Sequence, residues 1–257
     1  MLLWARQNRS PIVVVAPSNR ASDLARQAED FDQITIWELD ATTIVEVKAS
    51  ALPVVPTLTE AALEHVELFE SVGAAAVDDF GRLVAEVEGL EIARAEASGE
   101  VAVGVGSADR ELHSYVHRHQ EILVSLNNAA EAVRSIRRQG AAGHPLNRRA
   151  RQRWLRAVAF AEPTLLGAHR LEMLPPLQER VLQLGPEPCA ALDPDAGTMF
   201  VFSAGIDPDV VPTATDFRRR HESTETVIVT SEADAFAATA EIAATVSIHT
   251  TTIPAPY

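Results

Sequence analysis

Short apolar runs divided by polar breaks set the plan of this chain. Ile12 to Ala16 is a continuous apolar run closed by Pro17-Ser18-Asn19, and a helical pattern through Leu24 and Ala28 follows it. Ile34, Ile36 and Trp37 begin a second strand, so the succession predicts strand, helix and strand with a parallel pair. A third β-rich run, Thr43 to Val47, comes after the Asp40-Ala41 break and ends before Pro53 and Pro56. Thr57 and Glu60 then read as a capping box. Behind it Leu58, Ala62, Val66 and Phe69 form one apolar face, with Glu60, Glu64, Glu67 and Glu70 turned to water.

The stretch from Gly81 to His113 alternates with period two. Leu83, Ala85 and Val87 alternate with Val84, Glu86 and Glu88; Gly89 marks a bulge or bend, and Leu90 and Ile92 resume the pattern. Val101, Val103 and Val105 form the second arm of a hairpin around Ser98-Gly99. Helical spacing follows from Asp109 to Gln139, and a second helix spans roughly Asn147 to Phe160. Residues 174–197 hold five prolines and read as a linker or wrapped segment, with a short helix at Leu177 to Leu184. Beyond it come a strand at Met199 to Phe202, a helix at Asp209 to Arg220 and a strand at Val227 to Thr230. A helix capped by Ser231 and Asp234 and a closing strand at Val246 to Thr250 complete the pattern.

The expected architecture is α/β or α+β. It has a mixed sheet with a central β-hairpin, long central helices and a C-terminal β-α-β-α-β unit. The provisional division is 1–56, 57–173, 174–197 and 198–257, as separate units or as one compact domain. Segments 12–39 and 199–230 share a strand-helix-strand plan that is either a repeat or two halves of one sheet.

Composition adds little to this until charge is mapped along the chain. With 257 residues, 47% apolar and 23% charged, the chain has ordinary globular composition. No apolar run approaches the length of a bilayer span, the first ten residues lack a secretory signal pattern, and there is one cysteine. A reducing cytoplasm without membrane attachment is the expectation, with Cys189 a packed thiol. The net charge of −14 disfavours generic nucleic-acid binding. Yet Arg134 to Arg156 contains eight arginines and no acid, so −14 less this +8 leaves −22 on the rest.

Four groupings could carry chemistry. Glu86 and Glu88, two apart on one strand, leave the same face, with Asp78 and Asp79 just upstream. Carboxylates so placed suit Mg²⁺ or Mn²⁺. An acid followed by Glu-x-Glu on a hairpin between helices resembles the core of PD-(D/E)xK-type nucleases over about sixty residues, although the usual lysine is missing. That resemblance implies a metal-dependent phosphodiesterase or nuclease using Asp79, Glu86 and Glu88. The alternative for these residues is an exposed strand face. His113 and His117, one helical turn apart, with Glu121 extending the row, offer a second metal set. GVGSAD, Gly104 to Asp109, is a phosphate loop or, on the simpler reading, a capped turn. Finally Arg148, Arg149, Arg151, Arg153 and Arg156, with Trp154 among them, can pair with the protein's own acidic face, meet a second subunit, form a solvated face, or grip phosphate or nucleic acid. In the C-terminal part, Asp207 reads as a cap; alternatively Asp207 and Asp209 sit at a strand's carboxyl end, where open α/β sheets place ligands.

GVGSADRE, PLNRRARQRWLR and AGIDPDVVP are similar to blocks of an uncharacterised bacterial protein family from high-GC genomes, over most of residues 80–230. That family carries no established activity, so the resemblance implies no catalytic residues, only that these blocks share one architecture. The function expected is a binding or regulatory module using an arginine-rich surface, through self-association or a protein partner at residues 134–156. No cofactor is expected except Mg²⁺ or Mn²⁺ under the nuclease alternative.

Overall fold

The first strand forms where expected, because an uninterrupted β-branched run between two polar breaks has no helical face to offer. In the computed structural model, which describes residues 11–105, 122–138, 143–179, 187–223 and 225–257, β1 is Ile12–Pro17. Helix α1, Ser18–Ala28, starts directly after it and leads to β2, Ile34–Asp40, parallel to β1 with Ile12 opposite Ile34. A turn at Ala41, in the left-handed region, adds β3, Thr43–Glu46, antiparallel to β2. Only one face of this three-stranded sheet is covered by α1. Val13, Val15, Leu39 and Ile44 are exposed on the strands.

The helix expected after Pro56 is broken in two, α2 at Glu60–Leu63 and α3 at Val66–Ser71. Its cap is Thr59, whose Oγ1 accepts the Ala62 N–H at 3.2 Å, rather than Thr57. At the break, His65 reaches Nε2 to the Gly99 carbonyl at 2.7 Å, tying the helix pair to the Ser98-Gly99 turn. Ala62 and Phe69 still face the core, and Glu60, Glu64, Glu67 and Glu70 are exposed as the pattern requires.

Next comes an antiparallel meander of four strands: β4 Ala75–Asp78, β5 Leu83–Val87, β6 Leu90–Ala95 and β7 Val101–Val103. Gly89 is no bulge within a strand; Glu88 and Gly89, with φ of 48° and 74°, form the two-residue turn between β5 and β6. Left-handed values at both positions match the twist of a tight hairpin. The meander packs on α4, Ile122–Ile136, through Leu126, Ala130 and Val133. Residues 106–121, carrying His113, His117, Glu121 and most of the GVGSAD segment, lie outside the described residues, as does most of the expected Leu177 to Leu184 helix.

A 3₁₀ turn at Pro145–Arg148 precedes α5, Arg151–Ala161. The C-terminal sheet has five strands in the order β12-β11-β10-β9-β8: β8 Glu172–Leu174, β9 Cys189–Asp193, β10 Thr198–Phe202, β11 Glu225–Ser231 and β12 His249–Ile253. Strands β10, β11 and β12 run parallel, with helices α6, Val210–His221, and α7, Ala237–Thr245, as crossovers. The proline-rich segment is thus more than a linker, since it supplies β9, with Cys189 buried. Strand β12 begins three residues later than expected, because Val246 and Ile248 are spent in the core below α7. Leu155 and Ala159 of α5 pack on one face of this sheet, and Val211, Ala214 and Phe217 of α6 on the other. Among the described residues no helix is long and apolar enough to cross a membrane.

Candidate functional site

The acidic group and the arginine segment, read separately in the sequence, meet in the interior. Glu86 on β5 is 4% exposed. Its Oε1 accepts from Arg153 Nη1 at 2.8 Å and its Oε2 from Arg156 Nη2 at 2.9 Å. The two arginines, three apart on α5, lie on one helix face and are 2% and 1% exposed. Burial works against the charge on Arg153. The attraction and hydrogen bond of Glu86, helped by Asp79 and Glu91, outweigh it and hold the guanidinium pKa above its ordinary value. Arg94 lies 3.9 Å from Asp79 and donates to both oxygens of Glu91 at 3.1 Å, extending the buried network across β6.

Glu88 does not share a face with Glu86, because it occupies the hairpin turn. Its carbonyl accepts from Arg137 Nη1 at 2.6 Å. Arg137 also donates to the carbonyls of Leu146 and Arg149 and stands 4.6 Å over the Trp154 ring. Burial, then repulsion from Arg153, lowers its pKa to about 9, with Glu86 and Glu88 acting the other way. Such a residue binds three chain segments together. The convergent carboxylates needed for Mg²⁺ or Mn²⁺ at Asp79, Glu86 and Glu88 are not assembled: among the described residues no group of three His, Cys, Asp or Glu side chains could hold an ion.

Of the arginine segment, Arg153, Trp154 and Arg156 therefore belong to the core, and Arg148 and Arg149 to the surface. Ala150, with φ of 46°, divides the two halves. An open pocket of about 610 Å³ lies at this edge, lined by His144, Asn147, Arg148, Arg151 and Tyr257 among others. Arg151 is half-way between the two classes. Its Nη2 donates to Asp234 Oδ2 at 3.0 Å, and its guanidinium lies 3.9 Å over the Tyr257 ring. Asp234 also accepts from Ser231 Oγ and from the Tyr257 hydroxyl, each at 2.9 Å. Burial alone would raise the pKa of Asp234, but these hydrogen bonds prevail and it is lowered. The pairing of Ser231 with Asp234 turns the chain ahead of α7 rather than capping that helix.

A second constellation escaped the sequence reading. Arg26 on α1 forms a buried ion pair with Asp216 on α6. Arg219 pairs with Asp30 at 2.8 Å and donates to the Arg26 carbonyl at 2.9 Å, and Arg220 holds the Pro53 carbonyl. The signal available was the run Arg218-Arg219-Arg220 against Asp23, Glu29 and Asp30, but it was indistinguishable from a solvated helix end. Near the start of α6, Asp207 Oδ1 accepts the Asp209 N–H at 3.0 Å, so it shapes the turn ahead of the helix. Its pKa is raised, chiefly by burial. Comparison with protein-family models, curated proteins and solved structures gives no match.

Proposed function

We propose that this protein is a binding module whose arginine edge, Arg148 and Arg149 with His144 and Arg151 beside them, docks an acidic protein segment. The nearest source of such a segment is the acidic surface of a second copy. The observation that supports this reading is the division of the arginine segment. Its buried members, Arg153 and Arg156, pair with Glu86, whereas Arg148 and Arg149 are exposed, Arg148 lining an open pocket, and neither has an ion-pair partner among the described residues. On a chain of net charge −14, an exposed cationic edge favours acidic surfaces and discriminates against basic ones.

The experiment is sedimentation velocity at low and at physiological salt, together with fluorescence anisotropy of a labelled octaglutamate peptide. The wild type is expected to self-associate or to bind the peptide at low salt, and Arg148→Glu/Arg149→Glu to weaken either by about tenfold or more. A wild-type protein that stays monomeric and ignores the peptide overturns the reading. So does a double variant that behaves as the wild type does.

A further inference from the structure

A cleft of about 540 Å³ lies between the N-terminal β-α-β unit and the C-terminal sheet and shares no lining residue with the pocket at the arginine edge. We propose that it is a binding site for a small apolar molecule bearing one cationic amine, with Asp207 as the counter-ion. Its walls are Leu24 and Phe31 on one side and Val211, Phe236 and Ile242 on the other. The volume falls within the range of about 300–1,000 Å³ usual for small-molecule sites, which are mostly apolar with a few placed polar groups. Ile206, 80% exposed, and Phe236, 36% exposed, stand at the lip, where apolar side chains gain nothing from water.

Among the described residues the charge at the cleft has one sign: Asp207 and Asp209 line it, and no lysine, arginine or histidine does. Asp207 is held in place rather than free to rotate. Its Oδ1 accepts the Asp209 N–H at 3.0 Å, and its Oδ2 accepts from Ser203 Oγ at 3.4 Å. A carboxylate oxygen can accept two hydrogen bonds and each here accepts one, so each retains a site for an ammonium donor. The position is also where α/β sheets offer ligands a crevice, beyond the carboxyl end of β10 where it runs parallel to β11. An anion would meet the partly buried Asp207 carboxylate as a like charge, and a hydrocarbon would displace its water without replacing it, which is why the amine is selected.

The test is calorimetric titration of the full chain at pH 7.5 with 1-adamantylamine, and with 1-adamantanecarboxylate as the matched anion. Saturable binding of the amine at about millimolar affinity or tighter is expected. The carboxylate should bind at least about tenfold more weakly. Asp207→Asn should remove that preference, and Ala238→Trp, which places an indole on the cleft wall, should abolish amine binding. No saturable binding by the wild type overturns the inference, as does equal binding of amine and carboxylate, both without any variant. Unchanged amine binding by a folded Ala238→Trp protein overturns it as well, since the amine would then sit elsewhere.

Discussion

Glu86 holds two guanidinium groups in a space with almost no water, so its removal does more than delete one contact. Glu86→Gln leaves Arg153 and Arg156 buried and adjacent without the carboxylate they share, with Asp79 and Glu91 the remaining acids acting on Arg153. Breaking one partner of such a cluster costs about 3–5 kcal/mol, whereas the intact cluster contributes far less than its Coulomb energy because desolvation opposes it. Urea unfolding should register a loss of that size; a loss under about 1 kcal/mol would mean that water reaches the site. His221 offers a second residue-level test. It stacks on Phe217 at 6.4 Å near the end of α6. A helix C-terminus favours a charged imidazole, but burial first and Arg220 second lower its pKa below the ordinary 6.5. The folded state therefore binds fewer protons than the unfolded state over this range. The stabilisation is complete above pH 6.5 and is lost as pH falls from there through the folded pKa. Unfolding midpoints should drop between pH 7.5 and 5.5, and His221→Phe should reduce that slope. An identical slope in the variant would place the effect elsewhere.

At the scale of elements, the β5–β6 turn and the start of α5 are built against each other. A Cβ at Gly89 would stand 2.3 Å from the Arg153 carbonyl carbon, and the residue's φ is +74°. Gly167, at φ +73°, has nothing within 4 Å of such a Cβ. Alanine at either position carries the backbone strain, but only at Gly89 does it also drive two elements apart. Gly89→Ala should therefore cost more than Gly167→Ala by about 1–3 kcal/mol in chemical denaturation; equal losses would refute the close approach. The contact also accounts for what period-two alternation concealed. Glu86, Glu88 and Leu90 fit one continuous strand as well as two, and only the turn geometry separates them. The broken helix has a similar origin. Its apolar spacing is uninterrupted, and the break at His65 accompanies a bond to a turn more than thirty residues away.

Across the whole molecule, the two strand-helix-strand units pack helix to helix. Arg26 and Asp216 form the buried centre of that interface, with Arg218 and Arg219 against Asp30 at its rim. Asp216 has a raised pKa, burial outweighing the help of Arg26, so the pair is costly to desolvate and costlier to break. Arg26→Leu should loosen the N-terminal unit first. Amide exchange in β1 and β2 should accelerate about 100-fold while β10 and β11 keep their protection. Uniform acceleration would mean that all the sheets open as one.

The sequence by itself determined the strand-helix-strand units at both ends and the hairpin around Ser98-Gly99, but not β4, β8, β9 or the turn that splits β5 from β6. The units and the hairpin follow from local periodicity, which is a property of neighbouring residues. It also showed the arginine segment as a charge anomaly. Only the tertiary structure decided which arginines are cationic surface and which are core, because burial depends on what α5 packs against. One face of α5 meets the C-terminal sheet while Arg153 and Arg156 reach Glu86, so the pairing with the protein's own acids that the run allowed takes place in the interior, between two sheets. The same holds for Asp207. Its place at a strand's carboxyl end is legible in sequence, but the apolar cleft beside it exists only because α1, α6 and α7 meet there.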